Sequence, residues 1–227
     1  MKKFSKKQKQ LFEIIILSTI ALASFFVWDT IIIYPIKLIV VTLHEISHGI
    51  AALISGGEVI SLDIGFNLGG KCTTQDGAQM LIASSGYLGS FIFGAIIFSS
   101  AYIKRYGNWL LGFLAAIVLI FVTNLSQNMN FNLIVFLSVI IISLTKIFAP
   151  QIISNYLIKT IGLISCFYVA IDIIEDVLSQ NQLVSDATIL AGVSGISEVV
   201  WGIIWLAVTI TGIVFLLRFG YQKGITY

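Results

Sequence analysis

One short run of residues in this chain has the types and spacing to do chemistry: His44-Glu45-Ile46-Ser47-His48. It holds the only two histidines among 227 residues. Residues four apart on a helix share a face, so both imidazoles can reach a single zinc ion, as in other HExxH motifs. Glu45 lies about 100° round the helix from His44, placed to act on a water at the metal rather than to bind the metal itself. Zinc lowers the pKa of its bound water to near neutral, and an adjacent carboxylate can take that proton and pass it to a leaving amine. The competing reading is two packing histidines beside a carboxylate neutralised in a wet cavity. That the only histidines fall four apart, with Glu45 directly after the first, favours the metal site.

The elements that must position these residues are membrane spans. The chain is 58% hydrophobic and 11% charged, whereas a soluble domain carries roughly a quarter charged residues. It reads as an all-α polytopic integral membrane protein. A bilayer core needs about 20 apolar residues per helix, and seven segments meet that need. They are Leu11 to Ile33, Ile36 to Ile54, Ala78 to Ile103, a short one from Trp109 to Val122, Leu133 to Phe148, Tyr156 to Leu178, and Val199 to Phe219. Pro35 is expected to break the first from the second, because proline lacks a donor N–H. Residues 1–35 read as an N-terminal anchor helix and 36–227 as the core of one domain. Lysines at 2, 3, 6, 7 and 9 before an apolar run, with Ala21-Leu22-Ala23, also resemble a cleaved signal. Glu13 inside the would-be apolar region, and hydrophobicity running past Ala23, favour a retained helix. No basic patch with interleaved aromatics is present, so no nucleic-acid partner is expected. Cys72 and Cys166 form no close motif, which argues against a structural disulfide. A zinc hydrolase site within a bilayer points to cleavage of membrane-embedded peptide bonds.

If every segment crosses, alternation puts the Ser55–Gly77 loop, the Asn124–Asn132 turn and the Ser179–Glu198 loop on one side. Lys37, Lys104, Arg105, Lys146, Lys159, Arg218 and Lys223 fall on the other. The zinc-motif end of the second span and the Asp172-Glu175-Asp176 end of the sixth then share a side, and ionisable groups buried in membranes usually mark function. His48 and Asp172 each lie six residues from the end of their span, about 9 Å deep. Asp172 is therefore the expected third ligand, with Glu175 and Asp176 as a wet rim. Asp186 could supply the ligand from a loop instead, although Ser185-Asp186 before an apolar turn also reads as a helix N-cap. By the positive-inside rule the five leading lysines place the site side in the cytoplasm, while the seven basic residues opposite argue the reverse.

Partial alternation through Gly56 to Phe66, then Gly69-Gly70, predicts a β-hairpin at the membrane surface, or a re-entrant loop. Its edge could hold an unwound substrate segment by strand addition. Gly86, Gly89, Ser90 and Gly94 place small residues along the third span, as close helix packing requires. The asparagines from Asn124 to Asn132 are expected to cap two helices. Trp201 and Trp205 read as an interfacial or packing pair.

These residues resemble the site-2-protease-like intramembrane zinc metalloproteases, and most closely the compact bacterial branch described as peptidase M50B-like. The resemblance rests on His44 to Gly49, Ala51 to Val59, Ser85-Gly86-Tyr87-Leu88-Gly89, Asp172 with Asp176, Ser185-Asp186-Ala187 and the tryptophan-bearing last span. It implies a zinc-dependent (Zn2+) endopeptidase of the bacterial plasma membrane, acting on membrane-protein substrate helices within the lipid bilayer. The Leu-Asp-Gly motif that carries the third ligand in better-known members is missing, and Asp172 stands in Ile171-Asp172-Ile173. Two rivals from other classes remain: a catalytically silent membrane binding protein that keeps the fold, and a metal or proton transporter. Against transport, the ionisable groups gather toward one side rather than forming a path across.

Overall fold

The computed structural model describes residues 5–27, 30, 31, 33–65, 69–103, 106–178 and 185–224. Lys2, Lys3, Lys104 and Arg105 of the basic flanks lie outside them. Among the described residues there are eight helices and one two-stranded sheet: α1 Lys6–Phe26, α2 Tyr34–Ile54, β1 Glu58–Ile64, β2 Gly70–Gln75, α3 Gln79–Ser100, α4 Gly107–Leu125, α5 Met129–Phe148, α6 Gln151–Leu178, α7 Asp186–Ser194 and α8 Glu198–Lys223. Seven of these, all but α7, are long and apolar enough to cross a membrane. The chain is an integral, multi-pass membrane protein.

The spans sit where apolarity placed them, with one difference at the first boundary. Helix α1 ends at Phe26, ahead of the expected Ile33, and Pro35 opens α2 rather than closing α1. Proline suits a first turn because the N–H it lacks there would have no intrahelical partner. At its start α1 carries a full capping box, with Ser5 Oγ accepting from Gln8 N and the Gln8 side chain accepting from Ser5 N.

Helix α2 is the most enclosed span and α5 the most exposed. One apolar core gathers Leu43 and Ile46 of α2 with Leu62 and Ile64 of β1, Val122 of α4 and Val135 of α5. A second joins Leu17 of α1, Phe98 of α3, Leu163 of α6 and Leu216 of α8. Within the second region Lys159 of α6 forms an ion pair with Glu13 of α1, both almost wholly buried, and the ammonium lies 4.1 Å from the centroid of Tyr102. Two charges at this depth are tolerated because each neutralises the other and the aromatic face takes part of the cation's field.

The predicted hairpin is present. β1 and β2 pair antiparallel, Leu62 opposite Cys72 and Ile64 opposite Gly70, with a bulge between Val59 and Ser61. Residues 66–68 of its tip lie outside the described residues. Leu62 and Ile64 are buried while Asp63 is exposed, so the alternation reports a sheet with one face on the helices. Asn128 caps α5 by accepting from Phe131 N and also donates to the Ile64 carbonyl at 3.5 Å, so the polar turn both caps a helix and ties down the hairpin. Cys72 and Cys166 are free thiols. Trp201 and Trp205 stack at 5.7 Å, and Trp201 Nε1 donates to Ser194 Oγ across the α7–α8 junction.

Candidate metal centre

His44 and His48 project from one side of α2 with ring centroids 4.9 Å apart. Each ring is oriented through its Nδ1. His48 Nδ1 lies 2.7 Å from the carbonyl oxygen of Ile82 on α3, and His44 Nδ1 lies 3.3 Å from Asp172 Oδ2 on α6. An acceptor at Nδ1 draws the ring proton there and leaves the lone pair on Nε2. Both Nε2 atoms meet the same oxygen, Asp186 Oδ2, at 3.1 and 3.2 Å. That oxygen is buried and accepts no hydrogen bond from the described residues.

Three donor atoms from His44, His48 and Asp186 therefore lie within 4.8 Å of one another. In this tautomeric state no proton separates them, and three converging lone pairs repel unless a cation lies between. Two imidazoles and a carboxylate are also a set that divalent metals favour. The donor chemistry and the orphaned oxygen both fit a metal ion. Burial alone would raise the Asp186 carboxyl pKa. In the metal-free site the imidazoles, His48 ahead of His44, outweigh it when they take up a second proton and hold the carboxyl well below the usual range, so a metal ion would take the place of those protons at an anionic Asp186.

Local structure explains why Asp186 is available. Ser185 is the N-cap of α7, accepting from Thr188 N at 3.2 Å, so the capping role falls to the serine. Asp186 occupies the first helical position and turns its carboxylate to the histidines. The helix runs to Ser194 and is closed by Gly195 in the left-handed conformation, φ +72.

Asp172, the third ligand expected from depth, is brought to His44 but against Nδ1, the nitrogen facing away from the cluster. Asp176, one turn along, accepts from Tyr87 Oη at 2.5 Å, and the Tyr87 ring stands edge-on to His44 at 6.0 Å. Glu175 is exposed.

Gly86 contributes by the side chain it lacks. A Cβ there would lie 2.6 Å from His44 Nε2 and overlap Asp186 Oδ2, so only glycine lets α3 pass this close to the donors. Gly89 packs against Ser47 as expected of the small-residue stripe, whereas Gly94 meets Ser165, Cys166 and Gly162 on α6. Glu45 is buried beneath β2, where a Cβ at Gly70 would collide with its carboxylate. Burial first, and then the Glu45 carboxylate, push the neighbouring Cys72 thiol up to about 12. His44, Glu45, His48, Asp172 and Asp186 open together into one cavity of about 830 Å3, roofed by β2 from Gly70 to Cys72 and by Thr74.

The sequence reading missed the positions that act by backbone or by absence. The Ile82 carbonyl carries no sequence signal, Gly86 was legible as packing and Gly70 as a turn.

A family model described as peptidase M50B-like matches residues 17–216. The chain belongs to the peptidase M50B-like family. Comparison with curated proteins and with solved structures returned no match. Family membership implies a peptidase, and in this M50B-like chain the matched stretch contains all three converging donors as well as Glu45.

Proposed function

We propose that this chain is an intramembrane zinc metalloprotease in which His44, His48 and Asp186 hold the zinc and Glu45 is the general base. The observation that carries the reading is the meeting of two Nε2 atoms at an unbonded, buried Asp186 Oδ2 beside Glu45, in a chain of a peptidase family. Zinc held there would polarise a substrate carbonyl and acidify a water. Glu45 takes the proton from the attacking water and returns it to the leaving amine nitrogen. Asp172 and the Ile82 carbonyl position the two imidazoles by fixing the proton on Nδ1. Asp172 is thus a positioning residue, and Asp186 completes the donor set.

Substrate presentation falls to β2. One edge of β2 pairs with β1, and β2 lines the cavity, so an unwound segment of a substrate helix could add to its free edge. This answers the difficulty that a helix conceals its peptide bonds. The substrates are membrane proteins reached through the lipid bilayer, the location is a bacterial plasma membrane, and no nucleic acid takes part.

The test is zinc content together with cleavage of a transmembrane peptide by detergent-purified protein. Wild type should carry stoichiometric zinc and cleave. Glu45→Gln should keep the zinc and lose cleavage, whereas Asp186→Ala should lose both. Absence of zinc from well-folded wild type, or full activity in Glu45→Gln, would overturn the reading.

A further inference from the structure

Across α2 from the donor cluster lies a second cavity of about 560 Å3, walled by α2, α3, α4, α5 and α6. Its volume falls within the roughly 300–1,000 Å3 typical of small-molecule sites. The walls are aliphatic, with Leu43, Ile97, Leu114, Val118, Val139 and Ile161 among them. Apart from Thr42, whose hydroxyl donates to the Leu38 carbonyl of its own helix, the polar groups gather at one end: Asn108 in the first turn of α4, with Ser143 and Lys146 near the end of α5. Since α4 and α5 are consecutive spans, these ends share one membrane face. The site is therefore polar at the bilayer edge and apolar toward its middle, which is the profile of a lipid.

Lys146 is half-buried at this mouth and donates to the neutral Asn155 Oδ1 at 2.9 Å. Among the described residues no carboxylate pairs with it, in contrast to Lys159, whose charge is closed off by Glu13. A cation in this setting attracts an anion that brings its own apolar body. A peptide helix is a poorer fit. At about 10 Å across and 5.4 Å per turn, little more than one turn would occupy this volume.

We propose that this cavity binds one acyl chain of an anionic phospholipid from the surrounding bilayer, with the headgroup held at Lys146 and Asn108. Gly112 on the cavity wall offers a direct test, because a Cβ there meets no atom within 4 Å. Gly112→Phe can fill the space without displacing the fold.

Delipidated full-length protein would be titrated with phosphatidylglycerol and with phosphatidylcholine of the same chains, and adducts counted by native mass spectrometry. Wild type should prefer phosphatidylglycerol. Gly112→Phe should weaken its binding at least about tenfold, one power of ten in the equilibrium constant, and Gly112→Leu should weaken it less. Lys146→Met should bind both lipids alike. Zinc content should stay at wild-type level in all three variants, since neither residue touches the donor cluster. Undiminished phosphatidylglycerol binding in Gly112→Phe, or no headgroup preference in wild type, would overturn the proposal. So would a transmembrane peptide, titrated in place of lipid, that binds wild type in competition with phosphatidylglycerol and is lost in Gly112→Phe.

Discussion

Replacing Gly86 by alanine sets two effects against each other. In a helix interior alanine is favoured over glycine by about 1 kcal/mol, so local propensity alone makes the variant slightly more stable. The new Cβ would stand 2.6 Å from His44 Nε2 and 2.7 Å from His44 Cε1, and would overlap Asp186 Oδ2. Comfortable non-bonded separations are about 3.5–4.0 Å, so something must shift by close to 1 Å. His44 is tethered through Nδ1 to Asp172, and α3 is seated on α2 through Gly89 and Ser47. The displacement therefore falls on two of the three donors. Overpacking of this kind costs about 1–3 kcal/mol, and each 1.4 kcal/mol is about tenfold in affinity. We expect zinc affinity to drop by about tenfold to a hundredfold, measured by competition with a chromophoric chelator. The zinc-free variant, whose donors can splay apart, should unfold at nearly the wild-type temperature. Gly112→Ala, which adds a methyl group to open space, serves as the control and should bind zinc normally. Wild-type affinity in Gly86→Ala would refute the placement of α3 against the donors.

Three further outcomes follow from the same geometry. Asp172→Asn should retain zinc at unchanged stoichiometry with about 10–100-fold lower affinity, the usual effect of losing a residue that orients a ligand; loss of zinc there, with retention in Asp186→Asn, would exchange the two roles. A Cys72 thiol pushed up to about 12 is almost wholly protonated at pH 8, and only the thiolate reacts. Removing the nearby negative charge should lower that pKa, so maleimide should modify Cys72 faster in zinc-free Glu45→Gln than in zinc-free wild type; equal rates would place Glu45 away from the thiol. Glu13→Gln strands the buried Lys159 charge and should cost about 3–5 kcal/mol, with much of it recovered by adding Lys159→Met. Thermal unfolding in detergent measures both, and a double variant as unstable as the single would refute the pairing.

Much of the fold was legible because crossing a bilayer is a one-dimensional demand. About 20 apolar residues in a row suffice, and all seven expected spans correspond to helices. The hairpin was legible through its alternation and glycines, both local signals. The end of α1 was not. Apolarity resumes at Ile31 beyond Asp29 and Thr30, so hydropathy averaged over the stretch carries the segment on to Ile33 although the helix ends at Phe26.

Within the site the same division holds. The pairing of His44 with His48, and the place of Glu45 beside them, follow from helical periodicity alone, because one element carries all three. The third donor comes from a separate element, and by sequence Asp172, matched in depth to His48, had the stronger claim, with Asp186 the alternative that also reads as part of a helix cap. Depth in the membrane is a coordinate along the helix axis and carries no information about which side of an imidazole a neighbour approaches. That was decided by packing. Gly86 lets α3 pass close enough for α7 to bring Asp186 to both Nε2 atoms, and the position of α6 leaves Asp172 at Nδ1. Helix-to-helix approach of this kind depends on small residues meeting across distant parts of the chain, a relation no local pattern encodes.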